Sequence, residues 1–420
     1  MQLLDGVRVL ESAQLFNGDT LGVLLADLGA DVIKVESPFR GDYLRDFLGQ
    51  VAPHYSPAHL QVNKNKRSVG LDLRSEVGRE VFFKLLQTAD VFVDGNASNA
   101  LEKLGIGYEH QREVKPDIIY CQYSGFGSTG PLAPIPTHGQ MMNAAAAAVP
   151  LYLGDDGLVR QDQSAQFFNG ITSGGEGTAA GAIYSAYHVA AALVRRATTG
   201  EGCHIDVAGS EAVISSAWIA ATYTLNNHRI VDRNGLPAAG GDDPGGPAGS
   251  AKYQFYQTAD KRYVLFCAIE HLFWDNFCRA VGREDLMQDK NEDRPVDFAS
   301  GEDNLALRHE LQKIFWTKTQ AEWVEIAAKH DIAMGPAVQP AQLLEDDQLR
   351  ERRVFVDAEH PVAGPFTHVT LPALVNGERS TVIRRHAPAL GEQTSEVLGE
   401  LGYGADELAA LRESKVIGGT

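Results

Sequence analysis

The hydrophobic pattern at the start of the chain predicts strands that alternate with helices. Residues 7–10 (VRVL) have the pattern of a short buried strand, and residues 31–36 (DVIKVE) have that of a second strand. Between them, four leucines recur at helical spacing over residues 20–28, and Gly29 provides a residue that tolerates positive φ where this helix ends. A strand, a helix and a strand in about thirty residues make a βαβ unit, which implies a parallel sheet with a right-handed crossover.

The same alternation continues for about two hundred residues, which predicts an α/β fold with a doubly wound parallel sheet. The later strands are predicted at residues 68–73, 89–93, 118–123 and 205–207, and the later helices at 76–88, 100–104, 178–196 and 211–223.

The pattern changes after residue 222. Residues 235–249 are dense in Gly and Pro, which indicates a linker or a functional loop. A hairpin around residues 259–261 and three amphipathic helices follow, so we expect a smaller α+β domain over residues 223–335. Residues 1–222 would form the first part of a large domain, and 336–420 a linker and the remainder.

Charge and cysteine content limit the classes of function. The net charge of the 420 residues is −18, so neither nucleic acid nor an anionic membrane is an expected partner. The four cysteines are far apart and form no CxxC pair, and no signal peptide or membrane span is visible. We therefore expect a soluble cytoplasmic protein.

Neither a nicotinamide, a flavin nor a metal site is predicted. Residues 125–130 fit the pattern GxGxxG, but Pro131, Pro134 and Pro136 oppose the helix that a dinucleotide site needs there. Cys203 and His204 are adjacent, so they would point apart on a strand, and no His or Cys pair has zinc spacing. The basic segment 63–67, with Arg74 beyond it, is either a solvated loop or an anion site.

Several segments, in the same order along nearly the whole chain, resemble class III CoA-transferases of the CaiB/BaiF type. They are residues 4–10 (LDGVRVL), 25–36 (LADLGADVIKVE), 41–45 with Gly-Asp and Arg45, 65–74 (NKRSVGLDLR), 89–93 (ADVFV), 104–108 (LGIGY), 123–131 (YSGFG to Gly-Pro), 195–202 with Arg195 and TGEG, 360–364, 387–392 (APALGE) and 398–402 (LGELG).

This resemblance implies a Rossmann-like large domain made from both ends of the chain, a small middle domain, and two subunits interlocked like rings. It also implies binding of coenzyme A or acyl-CoA, together with a carboxylic acid and a homologous subunit. The CoA-binding positions that carry over are Phe16, Asn17, Leu71, Arg74, Asn96, Lys103 and Leu104. Arg74 and Lys103 can neutralise phosphates, and the apolar side chains can pack on adenine.

The chemistry implied by the resemblance is covalent. An aspartate attacks the thioester and forms a mixed anhydride, and the CoA thiolate then returns to form an enzyme-CoA thioester. A Gly-rich loop closes over the reactive anhydride and excludes water. Gly240, Gly241, Gly245 and Gly246 are the residues expected in that loop.

This chain departs from the family pattern at the catalytic position. No aspartate precedes the long helix that leads to Thr199, and the nearest carboxylate is Glu176. The usual Ala-Gly-Pro after the first strand is replaced by residues 17–19 (Asn-Gly-Asp), and a Tyr-Asp pair is replaced by His138-Gly139.

Four hypotheses follow. We favour a modified or catalytically silent subunit of a heteromeric transferase, as in transferases that act on benzylsuccinate in anaerobic aromatic degradation. Next comes a homomeric transferase with Glu176 as nucleophile, whose extra methylene displaces the attacking oxygen by roughly 1 Å. The third is a 2-methylacyl-CoA racemase-like enzyme that uses His138, and the fourth a non-enzymatic CoA-binding scaffold.

Overall fold

The computed structural model describes residues 2–96, 99–161, 176–231, 250–287, 296–297 and 302–419. The chain divides into two compact units, one of residues Met1–Thr224 with Glu351–Thr420 and one of Leu225–Arg350. The domain boundaries expected from the sequence, after residues 222 and 335, stay predictions.

The first unit begins with strands and helices in close alternation. Its strands up to residue 208 are β1 (Arg8–Ala13), β2 (Asp31–Glu36), β3 (Lys66–Leu71), β4 (Val91–Gly95), β5 (Ile119–Ser124), β6 (Leu151–Leu153), β7 (Val159–Gln161) and β8 (Cys203–Ala208). Its helices up to residue 226 are α1 (Phe16–Asp27), α2 (Pro57–Val62), α3 (Glu76–Leu86), α4 (Ala100–Lys103), α5 (Tyr108–Val114), α6 (Gly139–Ala145), α7 (Gly177–Thr199), α8 (Gly209–Ser216) and α9 (Trp218–Asn226).

The second unit has an antiparallel sheet packed on helices. Its elements are β9 (Gln254–Gln257), β10 (Tyr263–Phe266), α10 (His271–Val281), α11 (Glu302–Phe315), α12 (Gln320–His330) and β11 (Met334–Pro336). Aromatic side chains dominate its core, where Phe277 stacks on Phe315 at 5.6 Å between ring centroids. The buried Trp323 packs on the same Phe315 and donates its indole N–H to the backbone carbonyl of that residue at 2.9 Å, which satisfies the one polar group of the indole.

The last part of the chain returns to the sheet of the first unit. It contains α13 (Asp347–Glu351), β12 (Phe355–His360), β13 (Gly364–Val369), β14 (Leu374–Val375), β15 (Glu378–Arg379), α14 (Thr394–Glu400), α15 (Ala405–Glu413) and β16 (Ile417–Gly418). Ile417 pairs with Leu71, so β16 lies antiparallel beside β3.

In the described residues, the central sheet has the strand order β16-β3-β2-β1-β4-β5-β8. All neighbours are parallel except β16 and β3. Successive residues alternate between two buried clusters: Val9 and Val32 belong to one, and Leu10 and Ile33 to the other. Since side chains of a strand alternate between faces, both faces of the sheet are covered. The predicted doubly wound parallel α/β sheet is confirmed.

From β1 the chain adds β2 and β3 on one side of the sheet, and it then adds β4, β5 and β8 on the other side. The direction of strand addition therefore reverses between the neighbouring strands β1 and β4. A crevice forms at such a switch point, outside the carboxyl ends of the strands. Gly18 of α1 lies directly against these ends, because a Cβ atom on it would come within 2.4 Å of Ala13 Cβ and 3.0 Å of Gly95 Cα. A glycine therefore lets the first turn of α1 approach both strands.

No described helix is long and apolar enough to cross a lipid bilayer. Within the same residues, His, Cys, Asp and Glu side chains form no group of three or more that could hold a metal ion.

Candidate active-site cavity

A cavity of about 870 Å³ lies at the carboxyl ends of β1, β4 and β5. Gly95 and Ser124, the last residues of β4 and β5, form part of its wall. The remaining wall comes from the start of α1, the turn at Tyr43, the loop before α6 and the start of α7. This position at the switch point is where ligands bind in open α/β sheets.

The loop between β1 and α1 is held in an unusual conformation. Leu15 has a φ of 59°, which is rare for a residue with a side chain. Its backbone N–H donates to both carboxylate oxygens of Asp42 at 3.1 Å. Asp42 therefore fixes the segment that presents Phe16 and Asn17 to the cavity.

Asp42 belongs to a buried ion cluster with Lys34, Glu11, Asp19 and Lys66. Lys34 Nζ lies 3.0 Å from Asp42 Oδ2, 3.2 Å from Glu11 Oε1 and in contact with Asp19. A second lysine, Lys66, pairs with Glu11 at 2.7 Å. All five side chains are buried, so these charges stabilise one another in a medium of low dielectric constant.

The cluster shifts the pKa values of its members in opposite directions. Burial opposes the charged form of Lys34, but Asp19, Asp42 and Glu11 outweigh it and raise the Lys34 pKa well above its usual range. Burial would raise the pKa of Asp42, yet Lys34 and the backbone N–H groups of Leu44 and Leu15 lower it to about 2. For Asp19, burial dominates and raises the pKa well above its usual range.

Asp19 belongs to the departure from the family pattern at residues 17–19. Its carboxylate lies in the ion cluster, where Asn63 donates to it at 3.0 Å, and the residue does not line the cavity. It therefore supports the loop and does not take the place of a reacting carboxylate.

Glu176 is the N-cap residue of α7 and lines the cavity. One carboxylate oxygen accepts from the backbone N–H of Thr178 at 3.1 Å, and the other from Ala179 at 3.3 Å. These two hydrogen bonds cap the helix and hold the carboxylate against its first turn. Gly139 lies beside it, since a Cβ atom there would be 3.0 Å from Glu176 Oε1.

His138 lies at the N-cap position of α6 and is exposed on the cavity wall. The structure therefore brings both candidate catalytic residues, Glu176 and His138, into one cavity, although 38 positions separate them in the sequence.

Asn96 also lines the cavity, and hydrogen bonds to residues of β1 and β4 fix its side chain. The side-chain amide donates to the carbonyl oxygen of Ser12 at 2.9 Å and to Asp94 Oδ1 at 3.0 Å. Burial raises the pKa of Asp94 to about 6, although hydrogen bonds from Tyr120 and Asn96 favour its ionised form.

The seven CoA-binding positions expected from the resemblance fall into two groups. Phe16, Asn17 and Asn96 line the cavity. Leu71, Arg74, Lys103 and Leu104 do not: Leu71 is buried, Leu104 packs against the same core, and Arg74 and Lys103 are exposed on the surface. The loop glycines Gly240, Gly241, Gly245 and Gly246 lie outside the described residues.

The basic segment 63–67 is neither a solvated loop nor an anion site. Lys64 pairs with Asp27 at 3.0 Å, Lys66 with Glu11, and Arg67 with Asp31 at 2.6 Å and with Glu400 at 2.5 Å. These basic side chains are 0–4% exposed. Each is occupied by carboxylates of this chain, a pairing that the local sequence could not reveal.

Sequence reasoning missed several residues of the wall. They include Tyr43, Phe47, Phe126, Ile135 and Thr178. The GxGxxG segment did indicate part of this wall, because its glycines and the prolines after it predict a loop. Residues 125–138 form neither helix nor strand, and this loop places Phe126 at the cavity. Asp206 anchors this loop by accepting from the backbone N–H of Ser128 at 3.0 Å.

Comparison with known proteins agrees with this fold. The model of "CoA-transferase family III" matches residues 4–394. The chain is 28% identical to a formyl-CoA:oxalate CoA-transferase of Rhodopseudomonas palustris, over 98% of this chain and 96% of that protein. It is 26% identical to the corresponding transferase of Escherichia coli O157:H7, over 99% of both.

Solved structures give the same result. A CaiB/BaiF family protein of Brucella suis superposes with a TM-score of 0.70 at 26% identity, covering 95% of this chain and 99% of that one. A hypothetical protein of Mycobacterium tuberculosis gives a TM-score of 0.69 at 25% identity, with 94% and 99% covered. The chain therefore has the fold of CaiB/BaiF family proteins, and it belongs to CoA-transferase family III.

Proposed function

We propose that this protein transfers CoA from an acyl-CoA to a carboxylic acid in the cytoplasm, and that Glu176 is the reacting carboxylate. One observation carries the proposal: among the described residues of the cavity wall, Glu176 is the one carboxylate. Glu176 is the N-cap residue of the long helix α7. The family resemblance expects an aspartate just before this helix.

The chemistry follows from a carboxylate in that place. Glu176 attacks the thioester carbonyl carbon, so a C–O bond forms and the C–S bond breaks, which gives a mixed anhydride and CoA thiolate. The thiolate then attacks the glutamyl carbonyl carbon, which forms an enzyme-CoA thioester and releases the donor acid as its carboxylate.

The second half reverses these steps with another acid. The acceptor carboxylate attacks the glutamyl thioester and releases the thiolate, and the thiolate attacks the acceptor acyl carbon of the new anhydride. The products are the new acyl-CoA and the free Glu176 carboxylate, with no net use of water, protons or electrons.

The backbone N–H groups of Thr178 and Ala179 serve this cycle by fixing the carboxylate in place. Their hydrogen bonds hold the Glu176 carboxylate at the cavity wall. The side chain therefore loses less conformational freedom when it attacks the thioester. The same bonds stabilise the anion when Glu176 is the leaving group, which favours reversible exchange.

A second candidate is a catalytically silent subunit of a heteromer. It is supported by the same geometry, because a carboxylate whose two oxygens cap a helix is less free to attack. The homologous partner subunit would then carry the nucleophile, and the two subunits would interlock as the family resemblance implies.

Intact mass spectrometry of the purified chain separates the two candidates. The chain is incubated with acyl-CoA thioesters and then with hydroxylamine, which converts an activated carboxylate into a hydroxamate. A CoA adduct, and a hydroxamate on Glu176 after peptide mapping, is expected for a catalytic subunit. The Glu176→Gln variant must give neither, whereas Glu201→Gln, at an exposed residue paired with Arg195, must behave like the wild type.

The absence of any adduct in the wild type would overturn the assignment of Glu176. Restoration of transfer by a co-expressed homologous subunit would then establish the silent role.

A further inference from the structure

The wall of the cavity is strongly apolar on the side of α1 and the Gly-rich loop. Four aromatic rings contribute to it, from Phe16, Tyr43, Phe47 and Phe126. Phe16 and Phe47 contact each other edge to face, with ring centroids 5.9 Å apart. Leu15 and Ile135 extend this surface.

The same wall has no fixed cation. Among the described lining residues there is neither Lys nor Arg, and Glu176 is the fixed charge. The basic residues behind the loop are occupied, since Lys34 and Lys66 are paired within the ion cluster and Arg45 pairs with Glu36 at 2.6 Å.

From this combination we propose that the acyl group transferred by this enzyme is uncharged and apolar, and that dicarboxylic acids are poor substrates. The inference rests on the proposed function, because it requires the acyl group to occupy the cavity beside Glu176. The reacting carboxylate of the acceptor becomes a neutral thioester. A second carboxylate would stay ionised among aromatic rings, with neither Lys nor Arg among the described lining residues to pair with and with Glu176 repelling it.

This specificity differs from the one named in the relatives, which transfer CoA to oxalate. Oxalate is small and doubly charged, whereas the four aromatic rings of the described wall offer dispersion contacts that oxalate cannot use. Aromatic and longer aliphatic monocarboxylic acids use them fully.

Binding of matched thioesters to the purified full-length chain, without an acceptor acid, tests the inference. Calorimetry compares CoA, heptanoyl-CoA and adipoyl-CoA; the two acyl chains have similar length, and the adipoyl group ends in a carboxylate. Heptanoyl-CoA is expected to bind about ten-fold more tightly than adipoyl-CoA, because the terminal carboxylate would lie near aromatic rings and Glu176 without a Lys or Arg partner among the described lining residues.

Equal or tighter binding of adipoyl-CoA, with CoA itself also bound, overturns the inference and leaves the proposed function standing. Failure of CoA and of both thioesters to bind overturns the proposed function together with the inference.

A cation placed in the wall provides a second test. Ile135→Lys adds an ammonium group at a residue that is 40% exposed, and is expected to shift the heptanoyl-to-adipoyl affinity ratio about ten-fold toward adipoyl-CoA. The matched control is Leu132→Lys, at a residue 44% exposed that does not line the cavity. An unchanged ratio in Ile135→Lys, or an equal shift in Leu132→Lys, contradicts the placement of the acyl group.

Discussion

Oε1 of Glu176 accepts a hydrogen bond from the backbone N–H of Thr178 at 3.1 Å, which places the carboxylate at the first turn of α7 and at the wall of the cavity. An N-cap residue leaves the helix axis with its side chain turned back over the exposed N–H groups. The capping geometry that anchors this carboxylate therefore also determines where it can react.

Substitution of Glu176 distinguishes a chemical role from a capping role. Glu176→Gln keeps the cap acceptor but removes the nucleophile, so we expect CoA transfer to fall by roughly a thousand-fold or more. Glu176→Asp keeps the carboxylate but withdraws it by roughly 1 Å, which predicts a loss on the order of a hundred-fold. Steady-state transfer rates check both values.

The unfolding transitions of both variants provide the control. They should stay close to that of the wild type, because each substituted side chain still offers an oxygen to the helix N-terminus. Unchanged transfer in Glu176→Gln would remove this residue from the chemistry.

Removal of the Lys34 ammonium group should destabilise the protein strongly. Lys34→Met leaves Asp19 and Asp42 without their cation in a buried site, while Glu11 keeps Lys66, which predicts a loss of about 3–5 kcal/mol in the free energy of unfolding. Chemical denaturation measures this loss. Lys329→Met, at an exposed residue, is the matched control and should change stability by less than about 0.5 kcal/mol.

The raised pKa of Asp94 leads us to expect that the protein loses stability as pH rises through about 6. Burial raises its pKa from the ordinary 3.8 to about 6 in the folded protein. The folded state therefore binds the proton more tightly, so the contribution of Asp94 to stability is complete below about pH 4 and is lost as pH rises through about 6. The loss amounts to about 3 kcal/mol.

Asp94→Asn tests this dependence because the amide does not titrate. Denaturation of the wild type and the variant at several values between pH 4 and pH 7.5 should show the wild type losing stability relative to the variant as pH rises. A difference that is constant across this range would show that Asp94 ionises as an ordinary carboxyl.

Gly18 should be intolerant of even a methyl group. In Gly18→Ala the new Cβ atom would overlap Ala13 and press on Gly95, so α1 must move away from the ends of β1 and β4. We expect a loss of about 1–3 kcal/mol in stability and weaker binding of CoA, measured by denaturation and calorimetry.

Gly399→Ala is the appropriate comparison, because Gly399 lies within α14 with no atom within 4 Å of the added methyl group. That variant should be as stable as the wild type or slightly more stable. Similar losses in both variants would mean that the close approach at Gly18 is unimportant.

Much of the fold could be predicted because it depends on local patterns. The strand pattern at residues 7–10, the leucine-rich helix after it, Gly29 and the strand pattern at 31–36 define a βαβ unit without knowledge of distant residues. Boundaries were less accurate: the helix expected from residue 20 begins at Phe16, because Asp42, 27 positions after Leu15, holds the turn that starts it. Such a long-range hydrogen bond has no signature in the local sequence.

The candidate site was predictable only in part. Glu176 and His138 were selected because they stand where a known family has other residues, and the fold places both in one cavity. The basic segment 63–67 was misjudged, since its cations are neutralised by Asp27, Glu11 and Glu400 from distant parts of the chain. Charge in a sequence does not reveal whether it faces water or a buried carboxylate.

The sequence by itself determined the α/β class, the first βαβ unit and the family, because hydrophobic period and short motifs are local properties. Only the tertiary structure decided which residues share the cavity and that its described wall lacks a lysine or an arginine. The physical reason is that parallel strands bring their carboxyl ends to one edge of the sheet. Residues 14, 96, 138 and 176 meet there, whatever their separation along the chain.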